Sequence, residues 1–156
     1  LILADIDQEL AKHFSIVYGA AHSDAREVHR VECDIFSPCA IGGIINKDTI
    51  TELNCKAIGG SANNQLKTAE DGNTLSKRGI LYAPDFIINA GGIINVAAEF
   101  DSGGYNPNIS RDRVNDIYDA LIDIFEISDQ RNMSTSHAAD VLAERRLSEM
   151  KQRHIL

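Results

Sequence analysis

The sequence contains no long apolar run and no cationic segment followed by an apolar stretch. Without about 18 consecutive apolar residues it predicts no membrane-spanning helix, and it shows no signal peptide. Basic residues are also in the minority, because 15 lysines and arginines face 23 aspartates and glutamates, for a net charge of −8. This balance leaves no basic stripe to neutralise phosphates, so it argues against a nucleic-acid-binding protein.

Cysteine is scarce as well. The sequence has only Cys33, Cys39 and Cys55, and no two of them form a close pair. An odd number of separated cysteines favours reduced thiols in a cytoplasmic protein over a disulfide framework. Neither these cysteines nor the scattered histidines have the spacing of a metal site, and we predict none.

Two further absences concern the start of the chain. It opens directly on an apolar run at residues 1–4, with no initiating methionine. No stretch fits the G-x-G-x-x-G fingerprint of dinucleotide-binding folds, in which a strand runs into a glycine-rich loop. We therefore expect this chain to be a piece of a longer protein, with its glycine loop upstream of Leu1.

What is present is a pattern of short apolar runs separated by helical stretches. With 156 residues, 44% hydrophobic and 24% charged, the composition is that of one globular domain with a sizeable core. The alternation persists to about residue 100 and predicts a parallel α/β sheet, followed by a helical tail. The predicted strands cover residues 1–4, 32–36, 56–58, 80–82 and 86–88.

Cap residues and apolar spacing predict the helices. Asp7 can cap a helix over residues 8–18, and Gly19 can end it. After a Gly/Asn/Pro loop at 101–109, apolar residues at helical spacing predict a helix over 110–130. Other helices are predicted at residues 48–53, at 62–67 with Ser61 as its cap, at 70–78, at 92–100 and after a cap at Ser134 or Ser136.

Two apolar runs each end in a turn of small residues that carries asparagine. They read AIGGSANN at residues 57–64 and FIINAGG at residues 86–92. Glycine there lets a backbone approach a flat ligand, and a carboxamide offers both a donor and an acceptor. Because ligands of open α/β sheets bind beyond the carboxyl ends of the strands, we predict two walls of one crevice. Taken singly, Asn63, Asn64 and Asn89 are better explained as helix caps, and it is the occurrence of both turns together that brings a ligand role level with capping.

Two other residues have a functional and a structural interpretation. Asp5 ends the first predicted strand, where an acidic side chain can bind ribose hydroxyls and repel a 2′-phosphate, or can simply form a turn. Cys39 follows Ser37-Pro38 after the second predicted strand. It could be a nucleophile, but no histidine or lysine pattern supports a thiolate, so we favour a small packing residue beside a ligand.

Four segments together carry a family resemblance. CDIFSPCAIGGIIN, GGSANNQL, YAPDFIINAGGIINVAAEF and AADVLAERRL resemble the Glu/Leu/Phe/Val amino acid dehydrogenases, with the leucine-specific members nearest. The resemblance runs from Leu1 to about Lys151. It implies a Rossmann-type, doubly wound, mostly parallel sheet that lacks its first strand and glycine loop. Residues 1–109 would then be a partial NAD-binding domain, and the helices of 110–156 would pack on it or on an absent substrate domain.

The resemblance also implies an activity. The full-length protein would catalyse reversible oxidative deamination of L-leucine or a similar branched-chain amino acid to the 2-oxo acid and ammonia, with NAD as hydride acceptor. We expect it to be a cytoplasmic homo-oligomer that acts on a small-molecule amino acid. The family's catalytic lysine lies outside this chain, so we name no catalytic residue and expect the chain alone to be inactive.

Roles for individual residues follow from the same resemblance. The resemblance implies that Asp5 and Ile6 contact the adenosine ribose, and that Cys39 and Ala40 line the path of the cofactor. It also implies that the nicotinamide ribose is contacted by Ser61, Ala62 and Asn63. Asn89 would contact the nicotinamide end. The substrate would meet Asn63 and either Ile93 or Ile94. Two alternatives remain open: a valine or phenylalanine dehydrogenase of the same family, or a catalytically inactive, truncated Rossmann-like module for interaction or assembly.

Overall fold

The structure is a computed structural model that describes residues 1–153. All strand pairs in this part of the chain are parallel, in a two-stranded sheet of order β1–β2 and a three-stranded sheet of order β3–β4–β5. The prediction of a parallel α/β fold is confirmed. The strands are β1 (Ile2–Leu3), β2 (Ala21–His22), β3 (Cys33–Phe36), β4 (Cys55–Ile58) and β5 (Leu81–Tyr82).

Among the described residues, no strand pairing joins β1 to β3. A doubly wound Rossmann sheet has the strand order 3-2-1-4-5-6. If β1 to β5 are its second to sixth strands, they fall in the order β2-β1-(gap)-β3-β4-β5, which is the pairing observed. The gap therefore coincides with the place of the first strand, the one that the resemblance predicts to be missing.

Helices follow most of the strands, and several lie where the sequence predicts them. In the first helix, Asp7 accepts a hydrogen bond from the Leu10 N–H at 3.0 Å, and Gly19 ends the helix at φ +62°, as predicted. No helix within residues 1–153 is long and apolar enough to span a membrane. The helices are α1 (Gln8–Tyr18), α2 (Ala69–Lys77), α3 (Asp85–Ile88), α4 (Gly91–Ala97), α5 (Pro107–Arg131) and α6 (Thr135–Arg153).

The helix predicted over residues 62–67 is absent, and that prediction was wrong. This segment instead runs alongside residues 43–45, with a parallel bridge between Ile45 and Leu66. The Gly43 N–H donates to the Asn64 carbonyl at 2.7 Å, and the Lys67 N–H donates to the Ile45 carbonyl at 2.8 Å. Because its backbone groups are paired with a distant segment, the stretch has none left for a helix.

Two shorter predictions were also wrong. Residues 48–53 form turns rather than a helix, since the Asn46 carboxamide accepts from the N–H groups of Asp48 and Thr49 and folds the chain locally. Residues 86–88, predicted as a strand, belong to α3, which follows Pro84. The two-residue strand β2 was not predicted, and the predicted helix at 92–100 is α4 continued by one 3₁₀ turn, Ala98–Phe100.

Two apolar clusters hold these elements together. A smaller one lies between α5 and α6, and the Thr135 hydroxyl ties α6 to the sheet by donating to the Tyr82 carbonyl at 2.6 Å. α5 also packs on α3 and α4, while α6 packs on α2 and β5. The division at residue 109 stays a prediction. The main core consists of Phe36, Ile45, Ile50, Leu53, Ile58, Leu75, Ile80 and Tyr82.

The start of α5 provides a test of local stability. The Asn106 side chain accepts hydrogen bonds from the N–H groups of Asn108 and Ile109, and Pro107 occupies the first helical position. We expect Asn106→Ala to lower the free energy of unfolding by about 1 kcal/mol, because the capped N–H groups lose their acceptor. Urea denaturation measures this. The exposed neighbour Asn108 is the control, and equal losses in Asn106→Ala and Asn108→Ala would contradict the capping role.

Candidate functional site

The loops after β3 and β4 meet at one edge of the three-stranded sheet. The strands are parallel with Phe36 opposite Ile58, so both chains leave the sheet on the same side. The Ala62 N–H donates to the Pro38 carbonyl at 3.0 Å. A Cβ on Gly60 would lie only 2.1 Å from the same oxygen, so the approach of the two loops requires glycine there. The residues that follow each strand are therefore held against each other.

Asn63 and Asn89 are in direct contact at this edge. The Asn89 amide nitrogen donates to the side-chain oxygen of Asn63 at 2.6 Å and to the Ser61 carbonyl at 3.3 Å. Asn89 is the C-terminal cap of α3, not the end of a strand, so the second wall is a helix end. Among the described residues, the Asn63 amide group and the Asn89 side-chain oxygen have no further partner. Together they present one donor and one acceptor side by side.

Asn64 has a different role from its neighbour. Its backbone is left-handed, with φ +53°, and its carbonyl accepts from the Gly43 N–H. It lines two shallow clefts of about 240 and 280 Å³, each of which also includes Leu66 and Lys67. Neither cleft is lined by Asn63 or Asn89. The carboxamide pair therefore lies outside these two clefts, and neither of them is the crevice predicted between the two turns.

Gln65 is a site residue that the sequence did not single out. Its side chain is fully buried, and its amide nitrogen donates to the carbonyls of Gly60 at 2.8 Å and Ala62 at 3.0 Å. Its backbone N–H donates to the buried Asp85 carboxylate at 2.8 Å. We predicted residue 65 inside a helix. The available signal was the polar run Asn63-Asn64-Gln65, which has no apolar periodicity to support a helix.

Cys39 lies in the loop after β3. It is exposed, and its Sγ lies 3.4 Å from the Ser37 Oγ. The hydrogen bond with the Ser37 hydroxyl lowers the pKa of the Cys39 thiol, and hydrogen bonds from Ser61 lower it further. These donors are hydroxyl and amide groups rather than a base. The adjacent Ala40 is exposed as well. Within residues 1–153, no group of three or more His, Cys, Asp or Glu side chains could hold a metal ion.

Asp5 and Ile6 lie on the connection between β1 and α1. One Asp5 oxygen accepts from the Asp7 N–H at 2.9 Å, which is the turn-forming role considered above, and the other oxygen has no partner among the described residues. Ile6 is 94% exposed. No hydrogen bond in residues 1–153 joins this connection to the residues around Asn63. The structure thus leaves Asp5 and Ile6 accessible but separate from that network.

The apolar residues of α4 differ in exposure. Ile93 is 73% exposed and Ile94 is half-buried, so Ile93 is the one that presents its side chain outward. Val96 is 53% exposed and lies one helical turn further on, which places it on the same face as Ile93. Of the two residues predicted to meet a substrate, Ile93 is therefore the accessible one, and Val96 lies beside it.

Comparison with known proteins covers almost the whole chain. A profile of the Glutamate/Leucine/Phenylalanine/Valine dehydrogenase family matches residues 4–154. A leucine dehydrogenase from Thermoactinomyces intermedius is 45% identical over 152 residues, and the match covers 97% of this chain and 41% of that protein. A phenylalanine dehydrogenase from the same organism is 43% identical over 150 residues, covering 95% of this chain and 40% of that protein.

The fold agrees with the sequence match. The crystal structure of L-tryptophan dehydrogenase from Nostoc punctiforme superposes with a TM-score of 0.91 at 41% identity, covering 97% of this chain and 45% of that one. The chain thus spans about two fifths of the length of the curated relatives it matches. The family resemblance read from the four sequence segments is confirmed. The chain belongs to the Glutamate/Leucine/Phenylalanine/Valine dehydrogenase family.

Proposed function

We propose that this chain is the cofactor-binding part of an NAD-dependent amino acid dehydrogenase, which oxidatively deaminates L-leucine or a similar branched-chain amino acid. The observation that carries the proposal is the contact between Asn63 and Asn89 at the carboxyl edge of the β3–β4–β5 sheet. Dehydrogenases of this family are pyridine nucleotide-dependent. Ligands of open α/β sheets bind at this edge, which is where such a cofactor would meet the chain.

The donor set at this edge fits the nicotinamide end of the cofactor. A nicotinamide carries a carboxamide, which has one carbonyl acceptor and one N–H₂ donor. The free amide of Asn63 and the free oxygen of Asn89 form the complementary pair. Ser61 and Cys39 are exposed on the loops that carry this pair and would line the adjoining ribose. Ala62 is only 3% exposed and its N–H donates to the Pro38 carbonyl, so it would support this wall from inside rather than meet the ribose.

The choice of NAD over its phosphorylated form rests on Asp5. Its second carboxylate oxygen is exposed and free to accept from a ribose hydroxyl, while its negative charge would repel a 2′-phosphate. Ile6, 94% exposed beside it, would cover the adenosine. Ala40, on the loop after β3, would line the path between the two ends of the cofactor.

The chain's contribution to the reaction would be orientation. NAD, when bound, accepts a hydride from the Cα of the amino acid. Asn63 and Asn89 would hold the ring at the angle this transfer needs, and positioning of this kind can contribute several kcal/mol to the rate. Ile93 would meet the substrate side chain through apolar contact. We assign no residue of this chain as a general acid or base, and we expect the chain by itself not to turn over substrate.

Substrate choice within the family is the finer part of the proposal. The relatives include dehydrogenases named for leucine, phenylalanine and tryptophan. The aliphatic side chains of Ile93 and Val96 favour an aliphatic substrate by contact, but each methylene contributes only about 1 kcal/mol of discrimination. An aromatic amino acid is therefore the second candidate, supported by the L-tryptophan dehydrogenase that shares 41% identity and this fold.

A substrate panel tests the proposed function. The full-length protein that contains this chain is mixed with NAD and leucine, valine, phenylalanine or tryptophan, and NADH absorbance is followed. We expect leucine to be used with a kcat/KM about tenfold or more above that of the aromatic amino acids. Preference for an aromatic amino acid would establish the second candidate. A protein that neither binds NADH nor oxidises any of the four would instead support the interaction or assembly module. The expected homo-oligomer stays a prediction, measurable by light scattering.

A further inference from the structure

Three successive backbone carbonyls in the loop after β4 are held by side-chain amides from two sides. Gln65 donates to the carbonyls of Gly60 and Ala62, and Asn89 donates to the carbonyl of Ser61 between them. Gln65 is fully buried, so its two hydrogen bonds come from the interior of the fold. Asn89 is partly exposed and reaches the same loop from the site. The loop that carries Ser61 and Asn63 is thus clamped between two carboxamides.

The clamp is anchored on a single helical turn. α3 begins with Asp85 and is capped by Asn89, and the Asn89 N–H donates to the Asp85 carbonyl at 3.0 Å. Asp85 is buried, and its carboxylate accepts from the Gln65 N–H at 2.8 Å and from the Phe86 N–H at 2.8 Å. α3 is therefore hydrogen-bonded to the loop at both of its ends. Its first residue, Asp85, binds Gln65, and its cap, Asn89, binds Ser61 and Asn63.

Tyr82 contacts Asp85 at the start of α3, and its phenol stays protonated near neutral pH. The Tyr82 hydroxyl accepts a hydrogen bond from the Asp85 N–H at 3.2 Å. The pKa of Tyr82 is raised mainly by burial of the phenol and further by the negative charge of the nearby Asp85 carboxylate. The phenol consequently remains neutral near pH 7 and adds no charge beside Asp85. Loss of the Gln65 amide is then the change that would release the loop while leaving its anchor intact.

We infer that Gln65 is a positioning residue for the nicotinamide end of the cofactor, an inference that rests on the proposed function. It acts through Ser61 and Asn63 and touches neither cofactor nor substrate. By fixing the carbonyls on either side of Ser61, it sets the distance at which the Asn63 oxygen meets the Asn89 amide. A displaced loop misaligns the nicotinamide contacts but leaves the adenosine contacts at Asp5 and Ile6 unchanged.

The test uses Gln65→Met in the full-length protein, because methionine has a similar volume but no N–H donor. Calorimetry compares binding of NADH with binding of ADP-ribose, which lacks the nicotinamide ring. We expect NADH affinity to fall about tenfold and kcat to fall about 100-fold, as a misplaced reacting group does, while ADP-ribose affinity stays within about twofold. A merely structural role would weaken both ligands alike or neither.

Two control variants separate positioning from loss of stability. Gln130→Met makes the same substitution on the exposed surface of α5, and Ile50→Val loosens the main core away from the loop. Both are expected to keep the wild-type ratio of NADH to ADP-ribose affinity. Gln65→Met with an unchanged ratio and unchanged kcat overturns this inference alone. A wild-type protein that binds no NADH overturns the proposed function, and this inference with it.

Gln65→Glu carries the test if the methionine variant does not fold. A protonated glutamic acid donates one hydrogen bond to a loop carbonyl, whereas a carboxylate donates none. Burial facing two carbonyl oxygens raises the pKa of such a side chain. NADH affinity should therefore be low at about pH 8 and recover at about pH 6, with ADP-ribose affinity steady. The other titratable groups around this loop are Asp85, Tyr82 and Cys39. Measuring the affinities of the wild-type protein at both pH values controls for any effect of these groups. An equal loss of both ligands at both pH values overturns the inference.

Discussion

Replacing Asn63 with alanine is expected to lower kcat/KM for amino acid oxidation on the order of 100-fold in the full-length protein, because the proposed contact with the nicotinamide and the observed contact with Asn89 would be lost together. Stability should change little, since Asn63 is exposed. The measurement is a double-mutant cycle of Asn63→Ala and Asn89→Ala on kcat/KM. Because the two side chains are in contact, we expect a coupling energy of about 1–3 kcal/mol.

The control for this cycle is Asn115→Ala, on the exposed surface of α5. It makes the same chemical change far along the chain and should leave kcat/KM as in the wild type. Fully additive effects of Asn63→Ala and Asn89→Ala would mean that the two carboxamides do not act as one unit. A kcat/KM in Asn63→Ala equal to that of the wild type would show that the pair takes no part in positioning the cofactor.

Replacing Gly60 with alanine lowers the free energy of unfolding by about 3 kcal/mol, the largest stability effect that we expect. The new Cβ would lie 2.1 Å from the Pro38 carbonyl oxygen and 2.6 Å from the Pro38 nitrogen. Both are backbone atoms, so no side chain can rotate away and the two loops must separate. Urea denaturation of the full-length protein gives the loss, and NADH titration gives the accompanying loss of the site.

Gly103→Ala is the matched control for this substitution. An added Cβ at Gly103 would meet no atom within 4 Å, and its backbone φ is one that alanine adopts. We expect its free energy of unfolding to remain within about 0.5 kcal/mol of the wild type. Equal losses in Gly60→Ala and Gly103→Ala would contradict the role of the contact between the loops, because the lower entropy of the unfolded chain makes glycine-to-alanine changes stabilising where no contact is disturbed.

Elements with their own local signals were predictable from the sequence. Asp7 and Gly19 bound α1 as expected, because a cap acts on N–H groups two or three residues away and a left-handed stop acts on its own backbone. The strands β3 and β4 were likewise recognisable as apolar runs between turns. The family could be identified because its motifs are contiguous segments that need no fold to be read.

The site was predictable in part. The meeting of Asn63 and Asn89 was expected from two glycine-bearing turns at one edge of a sheet, but the second turn follows a helix rather than a strand. Phe86, Ile87 and Ile88 have the apolar, β-branched character of a strand, yet Pro84 and the Asp85 carboxylate start a helical turn instead. Local propensity was overridden there by a buried side chain that also binds Gln65.

The amino-acid sequence was enough to predict the parallel α/β class, the first helix and the family, and it fixes the net charge of −8. The long-range contacts of the fold were needed to show that residues 62–67 run alongside residues 43–45, and that Gln65 reaches back to the carbonyls of Gly60 and Ala62. The physical reason is the range of the interactions. Caps and turns are stabilised within a few residues, whereas the backbone of residues 62–67 is satisfied by partners about 20 residues away, which no local pattern encodes.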